Sequence, residues 1–376
     1  MASFFRFWSA LKIFFCCVAV FAVAEFVYLN RSASAPIVLE RSGLGMNTLM
    51  TLSVEAPRKM GEEVLDASFS LLSTLDGALS RYKVSSDISN INAASGVSTV
   101  QVGKETVAVL SIAKEIAEKT GGYFDPTVGP LTDLWRILAK DNHWDFPSED
   151  QVSVARALVD YRELIISRDS SLSPEDSALI RLNLAGAALD LGGIAKGYAA
   201  DQVADLCKAQ GIRSAMIDLG GNLMILGPRM GESPWRIGIR HPLKNRAEDR
   251  AVICTLEFEL TSGEMISLST SGSYERFREI DGKRLSHVFD PRTGFPVETS
   301  LLSVSVLDSC SAKADALSTA FLVMGEEKAR EVLSSSFPST EAVFLYLGPN
   351  EKITASLTQG LRKYLKFMDT ETVFER

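Results

Sequence analysis

From residue 46 onward, apolar positions recur in two patterns that take turns along the chain, helical spacing in some stretches and short strand-like runs in others. Residues 46–54 read as a strand. The next segment carries Leu65, Phe69, Leu72, Leu75 and Leu79 at a spacing that predicts a helix with one buried face. A second helix is expected over residues 105–119, stopped by Gly121-Gly122. A third begins at Ser148, whose side chain can cap it together with Gln151. Short strands are expected at 164–166 and 180–184. From Asp190 there follow a glycine turn, a helix over 194–209, a strand over 215–218 and a second glycine turn at Gly220-Gly221. The later part is mostly strand. Residues 277–280 and 283–288 flank Asp281-Gly282, a pair suited to a type I′ hairpin turn, which puts His287 on a hairpin strand. A helix over 312–324 and a helix–strand unit close the chain. No repeat of solenoid length interrupts this order, so the expected fold class is α+β, with one compact mixed catalytic domain over residues 36–376.

The first 35 residues break the pattern. Arg6 and Lys12 precede an uncharged apolar run over residues 13–24, after which come Glu25 and a polar stretch over 30–35. That run is shorter than the roughly 20 apolar residues a membrane span needs. Ala22-Val23-Ala24 supplies the small residues of a signal-peptidase site, so a cleaved signal peptide is one reading. Counted outward to Leu29, the segment also suits a retained membrane anchor, and the two readings stay open. Both predict an extracytoplasmic protein on the periplasmic side, with membrane association through the N-terminus under the second.

Composition narrows the partners. The chain is 46% hydrophobic and 23% charged, ordinary globular usage, and its net charge of −8 comes with no basic cluster interleaved with aromatics. Nucleic acid is therefore excluded as an expected partner. Cys16 and Cys17 lie in the apolar run, while Cys207, Cys254 and Cys310 lack metal-ligand spacing and form an odd set, so they read as small hydrophobes rather than a disulfide framework.

Three segments carry candidate chemistry. Asp315 and Thr319 stand four apart on one predicted helix face and offer two hard oxygens, a plausible part of a magnesium site or, equally, a solvated or capping pair. In residues 189–200, Asp190 ends a strand before Gly192-Gly193, and Lys196 lies in the first turns of the helix that follows. Glycines at a helix start let backbone approach an anionic phosphate closely, although neither the Gly-x-x-x-x-Gly-Lys-Ser/Thr nor the Gly-x-Gly-x-x-Gly spacing is present. Residues 122–131 are partly echoed at 288–296, and in both a proline follows an aspartate, Asp125 and Asp290, which suits a binding wall as well as plain turn punctuation. His287, one of three histidines, lies just before the second copy, where it could serve as a base or simply as structure.

Taken in order, these motifs resemble the ApbE family of flavin transferases from Gly45 to Leu347. The resemblance rests on Gly45-Met46-Asn47-Thr48, Ser80-Arg81-Tyr82, Ser86-x-Ile88-x-x-Ile91-Asn92, the run from Phe124 to Pro130, and Asp190 to Gly197. It continues through Asp218-Leu219-Gly220-Gly221-Asn222, Ser271-Gly272-x-Tyr274, His287-x-x-Asp290-Pro291-x-Thr293-Gly294 and Ala314-Asp315-Ala316-Leu317-x-Thr319. Asn47, where the family has glycine, and Lys313, ahead of the aspartate helix, are departures; Lys313 is expected to project from a different helix face than Asp315.

The resemblance implies a T-fold-like catalytic domain that binds FAD with Mg2+. It implies transfer of the FMN half to a Thr or Ser of an acceptor flavoprotein, with AMP leaving. By position, Met46, Tyr82, Tyr123, Phe124, Asp125, Asp190, Lys196 and Val288 would line the FAD site. Asp315, Thr319 and a backbone carbonyl near Gly193 would hold the metal, and His287 would act as base toward the acceptor hydroxyl. Export suggests a membrane respiratory subunit as the acceptor. Two rival functions share the same residues: an FAD pyrophosphatase releasing FMN and AMP, and a non-enzymatic extracytoplasmic FAD-binding protein, which would have no use for a base.

Overall fold

The computed structural model describes residues 35–138, 145–167, 177–229, 231, 233–243, 252–274, 276–280, 283–348, 352–368 and 373–375. The expected export segment with Cys16 and Cys17, and the Asp281-Gly282 pair, lie outside the described residues. Among the described residues no helix is long and apolar enough to cross a membrane.

The chain opens with a hairpin. Strand β1 (Ile37–Gly45) pairs antiparallel with β2 (Thr48–Ala56), and Gly45 sits opposite Thr48. Met46 and Asn47 form the two-residue turn, both left-handed with φ of 48° and 58°. The strand expected over 46–54 therefore begins two residues later, because a turn whose backbone twist matches the strands needs positive φ at both central positions. Asparagine tolerates that region, which accounts for Asn47 where the family has glycine.

Helix α1 (Arg58–Leu79) buries Leu65, Leu72, Leu75 and Leu79, the predicted face. There follow α2 (Asp87–Ala93), β3 (Val100–Gly103), α3 (Lys104–Lys119), α4 (Gly129–Trp135) and α5 (Glu149–Arg156). Ser148 caps α5 through the expected box, with Gln151 N–H donating to Ser148 Oγ at 3.3 Å and Ser148 N–H donating to Gln151 Oε1 at 2.9 Å. Strands β4 (Leu164–Ser167) and β5 (Ser177–Leu182) join β3 in a small sheet. Then come α6 (Ala195–Ala209), β6 (Ser214–Leu219), β7 (Asn222–Leu226), β8 (Trp235–Arg240), β9 (Val252–Phe258) and β10 (Met265–Gly272). The chain ends through β11 (Phe277–Ile280), β12 (Lys283–Ser286), β13 (Leu301–Asp308), α7 (Ser311–Met324), α8 (Glu326–Ser336), β14 (Glu341–Leu347), β15 (Ile353–Leu357), β16 (Leu365–Met368) and β17 (Val373–Glu375).

A nine-stranded sheet in the order β1-β2-β6-β7-β10-β13-β14-β15-β17 organises the molecule. Alternation along its strands feeds two cores. Met224 and Leu226 of β7, with Val304, Val306, Ala342 and Phe344, face the helical layer. Their neighbours Ile225, Leu268, Leu307, Val343 and Leu345 pack instead against Ile237, Ile239, Leu256 and Phe258 of the small β16-β9-β8 sheet. Helix α7 lies in the first layer and is buried nearly all round, including Ala312, Ala314, Ala316, Leu317 and Phe321. It approaches β10 closely because small hydroxyl residues meet there, Ser267 with Ser311 at 2.9 Å and Ser271 with Ser318 at 2.7 Å.

The α+β expectation holds. Cys207 and Cys254 are buried free thiols, as expected of small hydrophobes. One placement is corrected: β12 ends at Ser286, so His287 follows the strand instead of lying on it. Ser286 Oγ accepts the Val288 N–H at 3.1 Å, a local side-chain bond that competes with the ladder and bends the chain there.

Candidate functional site

One cleft of about 280 Å3 gathers every residue that the resemblance assigns to the FAD, metal and base roles, while Asp290 is not among its lining. Met46 from the β1–β2 turn, Tyr82 after α1, and Tyr123, Phe124 and Asp125 ahead of α4 line it. So do Asp190, Gly193 and Lys196 around the start of α6, His287 and Val288 after β12, and Asp315 and Thr319 of α7.

The Asp315 end is built by a close crossing of α6 and α7. A Cβ on Gly197 would stand 2.3 Å from the Ser311 carbonyl oxygen, so only glycine permits this contact. Its bare N–H then donates to Asp315 Oδ2 at 2.9 Å and aims a carboxylate that is only 4% exposed. Thr319 Oγ1 lies 3.1 Å from Ser271 Oγ, and a Cβ on Gly193 would be 3.2 Å from Thr319 Oγ1, so the Gly193 backbone sits against that hydroxyl. No group of three His, Cys, Asp or Glu side chains suited to a metal occurs among the described residues. The donor set here is instead one carboxylate with neutral oxygens, which suits a magnesium ion that keeps positions for water and phosphate oxygens. The Lys313 charge reaches Glu115 of α3, which a hydrogen bond from Lys119 and, more weakly, Lys313 make more acidic than usual.

The N-terminus of α7 is fixed from α6. Asp201 accepts from the N–H groups of Ser311 at 2.7 Å and Ala312 at 2.8 Å, supplying from another helix the cap that Cys310 cannot. Burial raises Asp201 to about 6 despite these bonds.

Asp190 is held rather than free. Its Oδ1 accepts the Gly192 N–H at 2.9 Å, its Oδ2 pairs with Arg81 Nη1 at 3.1 Å, and its own N–H reaches the Pro126 carbonyl at 2.8 Å. Arg81 also holds Asp133 at 2.7 Å. Lys196 Nζ donates to the Gly192 carbonyl at 3.0 Å and, like Arg276, has no carboxylate partner among the described residues. Lys196 and Arg276 thus bring two positive charges to the cleft that Asp190 and Asp315 also line.

The two Asp-Pro turns build walls. Asp125 is buried, with Oδ1 accepting from Thr127 N–H and Oγ1 at 2.8 and 2.6 Å and Oδ2 accepting the Tyr161 N–H at 2.9 Å. Burial raises its carboxyl to about 6 in spite of those bonds. Asp290 is gripped by Arg292 at 2.6 Å, and the Arg292 guanidinium lies 3.5 Å from the centre of the Tyr123 ring. Trp135 Nε1 donates to the Gly294 carbonyl at 2.8 Å and binds the second turn to α4.

His287 is held as a neutral imidazole. Its Nδ1 lies 2.9 Å from the Arg276 carbonyl, which can only accept, so Nδ1 carries the proton and Nε2 keeps its lone pair. Burial pushes its pKa from 6.5 to about 4, helped by the nearby charges of Arg276 and Lys196 and opposed by the Arg276 hydrogen bond and Asp190.

Two further residues of the cleft, Arg81 and Arg276, are not marked by the sequence motifs as candidates. Arg81 stands within Ser80-Arg81-Tyr82, yet only Tyr82 was nominated, and its partner Asp190 is 109 positions away. Arg276 acts through its backbone carbonyl as well as its side chain, and a carbonyl leaves no signature in a sequence.

Hard oxygen donors, two cationic side chains and a neutral imidazole line one cleft, an arrangement suited to an enzyme that acts on a phosphate-bearing ligand. A family model described as the ApbE family matches residues 46–344, and the chain belongs to that family. A relative from Treponema pallidum named FAD:protein FMN transferase is 34% identical over 346 residues, covering 89% of this chain and 91% of its own. One of the same name from Escherichia coli K12 is 32% identical over 302 residues, covering 80% and 82%. Among solved structures, the ApbE protein of Thermotoga maritima aligns with a TM-score of 0.75 at 26% identity, covering 88% of this chain and 100% of that one. The flavin transferase ApbE from Vibrio cholerae gives 0.73 at 26% identity with the same coverage. The expected family and fold class are both borne out.

Proposed function

We infer that this chain is an FAD:protein FMN transferase, with FAD as substrate and a flavoprotein as acceptor, and we propose that it works with Mg2+ on a Thr or Ser hydroxyl. Family membership and the names of its relatives support the activity. The observation that carries the mechanism is the meeting in one cleft of a neutral His287 with the Asp315–Thr319 oxygen pair.

Asp315, Thr319 and the backbone at Gly193 would hold the ion. Magnesium there would neutralise charge that grows on the FAD pyrophosphate as it breaks. His287 Nε2 takes the proton of the acceptor hydroxyl. The oxygen then bonds to the phosphorus of the FMN half, the phosphoanhydride bond to the AMP half breaks, and AMP leaves with the bridging oxygen. Lys196 places a positive charge along the phosphate path, and the Arg81–Asp190 pair keeps the glycine turn in place beneath it. Asp125, occupied by Thr127 and Tyr161, shapes the wall without touching a proton in transit.

The charged and apolar pattern of residues 1–35 supports a proposal of an extracytoplasmic enzyme, exported or anchored, with residues 36–376 as the catalytic domain. An acceptor on a membrane respiratory subunit fits that location.

Incubation with FAD, Mg2+ and a candidate flavoprotein fragment, read as in-gel flavin fluorescence of the denatured acceptor, tests the assignment. Fluorescence that survives denaturation and disappears when the acceptor hydroxyl residue is replaced supports transfer. A dark acceptor alongside released FMN and AMP supports the pyrophosphatase instead.

A further inference from the structure

The Arg276 side chain has a job that the reaction does not explain by itself. Its Nη2 donates to the Asn47 carbonyl at 3.1 Å, across 229 positions of sequence, and so ties the segment after β10 to the turn of the β1–β2 hairpin. The backbone of the same residue faces the other way. Its carbonyl receives both the Nδ1 of His287 at 2.9 Å and the His287 backbone N–H at 3.2 Å. One residue therefore stands between the hairpin turn and the imidazole.

The surrounding chain makes this link tight. Asn47 and Met46 are both left-handed, so the Asn47 carbonyl has the fixed direction of a two-residue turn. On the other side, Ser273 N–H donates to the Leu302 carbonyl at 3.0 Å, holding the start of the segment on β13. Between Ser273 and β11 the guanidinium ties the segment to the Asn47 carbonyl.

We propose that Arg276 is the positioning residue for His287: its guanidinium clamps the segment whose carbonyl fixes the tautomer and direction of the imidazole. The proposal rests on the reading of His287 as base for its catalytic meaning, but the clamp itself is a property of the free enzyme. Without it the Arg276 carbonyl loses its fixed place, Nδ1–H loses its acceptor, and Nε2 no longer points reliably at the acceptor hydroxyl.

Loss of the clamp has a signed effect on protonation. The charged groups facing His287 are Arg276, Lys196 and Asp190. Removing the Arg276 cation favours the imidazolium, and loosening the ring into solvent relieves the burial that is the largest influence upon it. The weakened carbonyl hydrogen bond acts the opposite way; it outweighs the lost Arg276 charge but is smaller than the burial, so the rise is carried by the loosening of the ring into solvent.

The chain has only three histidines, so imidazole resonances of the full-length protein without FAD can be followed by NMR and His287 assigned with a His287→Gln variant. For Arg276→Ala the expected result is a rise of about one unit or more in the His287 midpoint and a mixed tautomer population in place of Nδ1–H alone. Arg276→Lys, which keeps the charge and a donor, is expected to restore part of both. Transfer by Arg276→Ala is expected to fall on the order of tenfold. An unchanged midpoint and tautomer in Arg276→Ala overturns the clamp whatever the activity does. Wild-type transfer by His287→Gln would instead remove the base assignment and leave the NMR result to judge the clamp alone.

Discussion

Gly197 donates its N–H to Asp315 Oδ2 at 2.9 Å, and this bond exists because glycine alone lets α6 and α7 come so near. An added Cβ would meet the Ser311 carbonyl oxygen at 2.3 Å and Asp315 Cβ at 2.7 Å, atoms of helix backbone and root that have little room to give. Gly197→Ala is therefore expected to destabilise the fold by about 1–3 kcal/mol, as overpacking does. It should also raise the magnesium concentration needed for half-maximal transfer. Urea unfolding and a magnesium titration check both, and a stable variant with unchanged metal dependence would show that the crossing does not aim Asp315.

His287, with its pKa pushed down to about 4, stays unprotonated well below the ordinary histidine range. The rate of transfer at saturating FAD is expected to stay level as pH falls through 6.5 and to drop with a midpoint near 4. His287→Ala is expected to lose about 100-fold or more in rate while still binding FAD. Stability follows the same shift. The unfolded chain takes up this proton first, so His287 contributes stability above 6.5 that is lost as pH falls toward 4. Asp125 and Asp201, each raised to about 6 by burial, act in the opposite direction, contributing stability at low pH that is lost as pH rises through 6. The histidine share is thus read as the difference between wild type and His287→Ala in unfolding measured across pH.

Arg81 bridges Asp190 and Asp133 with a side chain only 9% exposed, and Asp190 is itself 14% exposed. Arg81→Ala would leave a largely buried carboxylate without its partner, a loss of about 3 kcal/mol. The glycine turn at Gly192-Gly193 would lose its anchor, and FAD affinity is expected to fall with stability. Arg81→Lys should recover only part, since one ammonium cannot reach two carboxylates in the fork geometry. Calorimetric melting with an FAD binding isotherm checks this, and intact FAD affinity in Arg81→Ala would contradict it.

At the β1–β2 turn, Asn47 has φ of 58°. Asn47→Gly is expected to be neutral or mildly stabilising, whereas a β-branched valine there should cost about 1–2 kcal/mol. Equal melting temperatures for the two variants would contradict the left-handed turn.

The parts of the fold legible in the sequence are those written in local spacing. The capping box at Ser148, the buried face of α1 and the helix bearing Asp315 and Thr319 all follow from residues within one or two turns of each other. Strand β1 was not legible, because its side chains alternate between half-buried and exposed and its tip turns on a methionine, a residue that gives no turn signal. The cleft was legible as a set of residues but not as a geometry. Asp125 and Asp190 look alike in a motif, yet the first is sealed behind Thr127 and Tyr161 while the second is paired with Arg81. The tautomer of His287 depends on a backbone carbonyl that every residue possesses, so only the fold could reveal it.

The central claim is that this cleft moves FMN from FAD onto a protein hydroxyl with the help of Mg2+, and intact-mass analysis of the acceptor tests it most directly. With FAD, Mg2+ and an acceptor flavoprotein fragment, the account predicts a mass gain of one esterified FMN, released AMP, and loss of both with chelator or with Asp315→Ala. An unmodified acceptor accompanied by free FMN and AMP, or an Asp315→Ala variant as active as wild type at limiting magnesium, would contradict it.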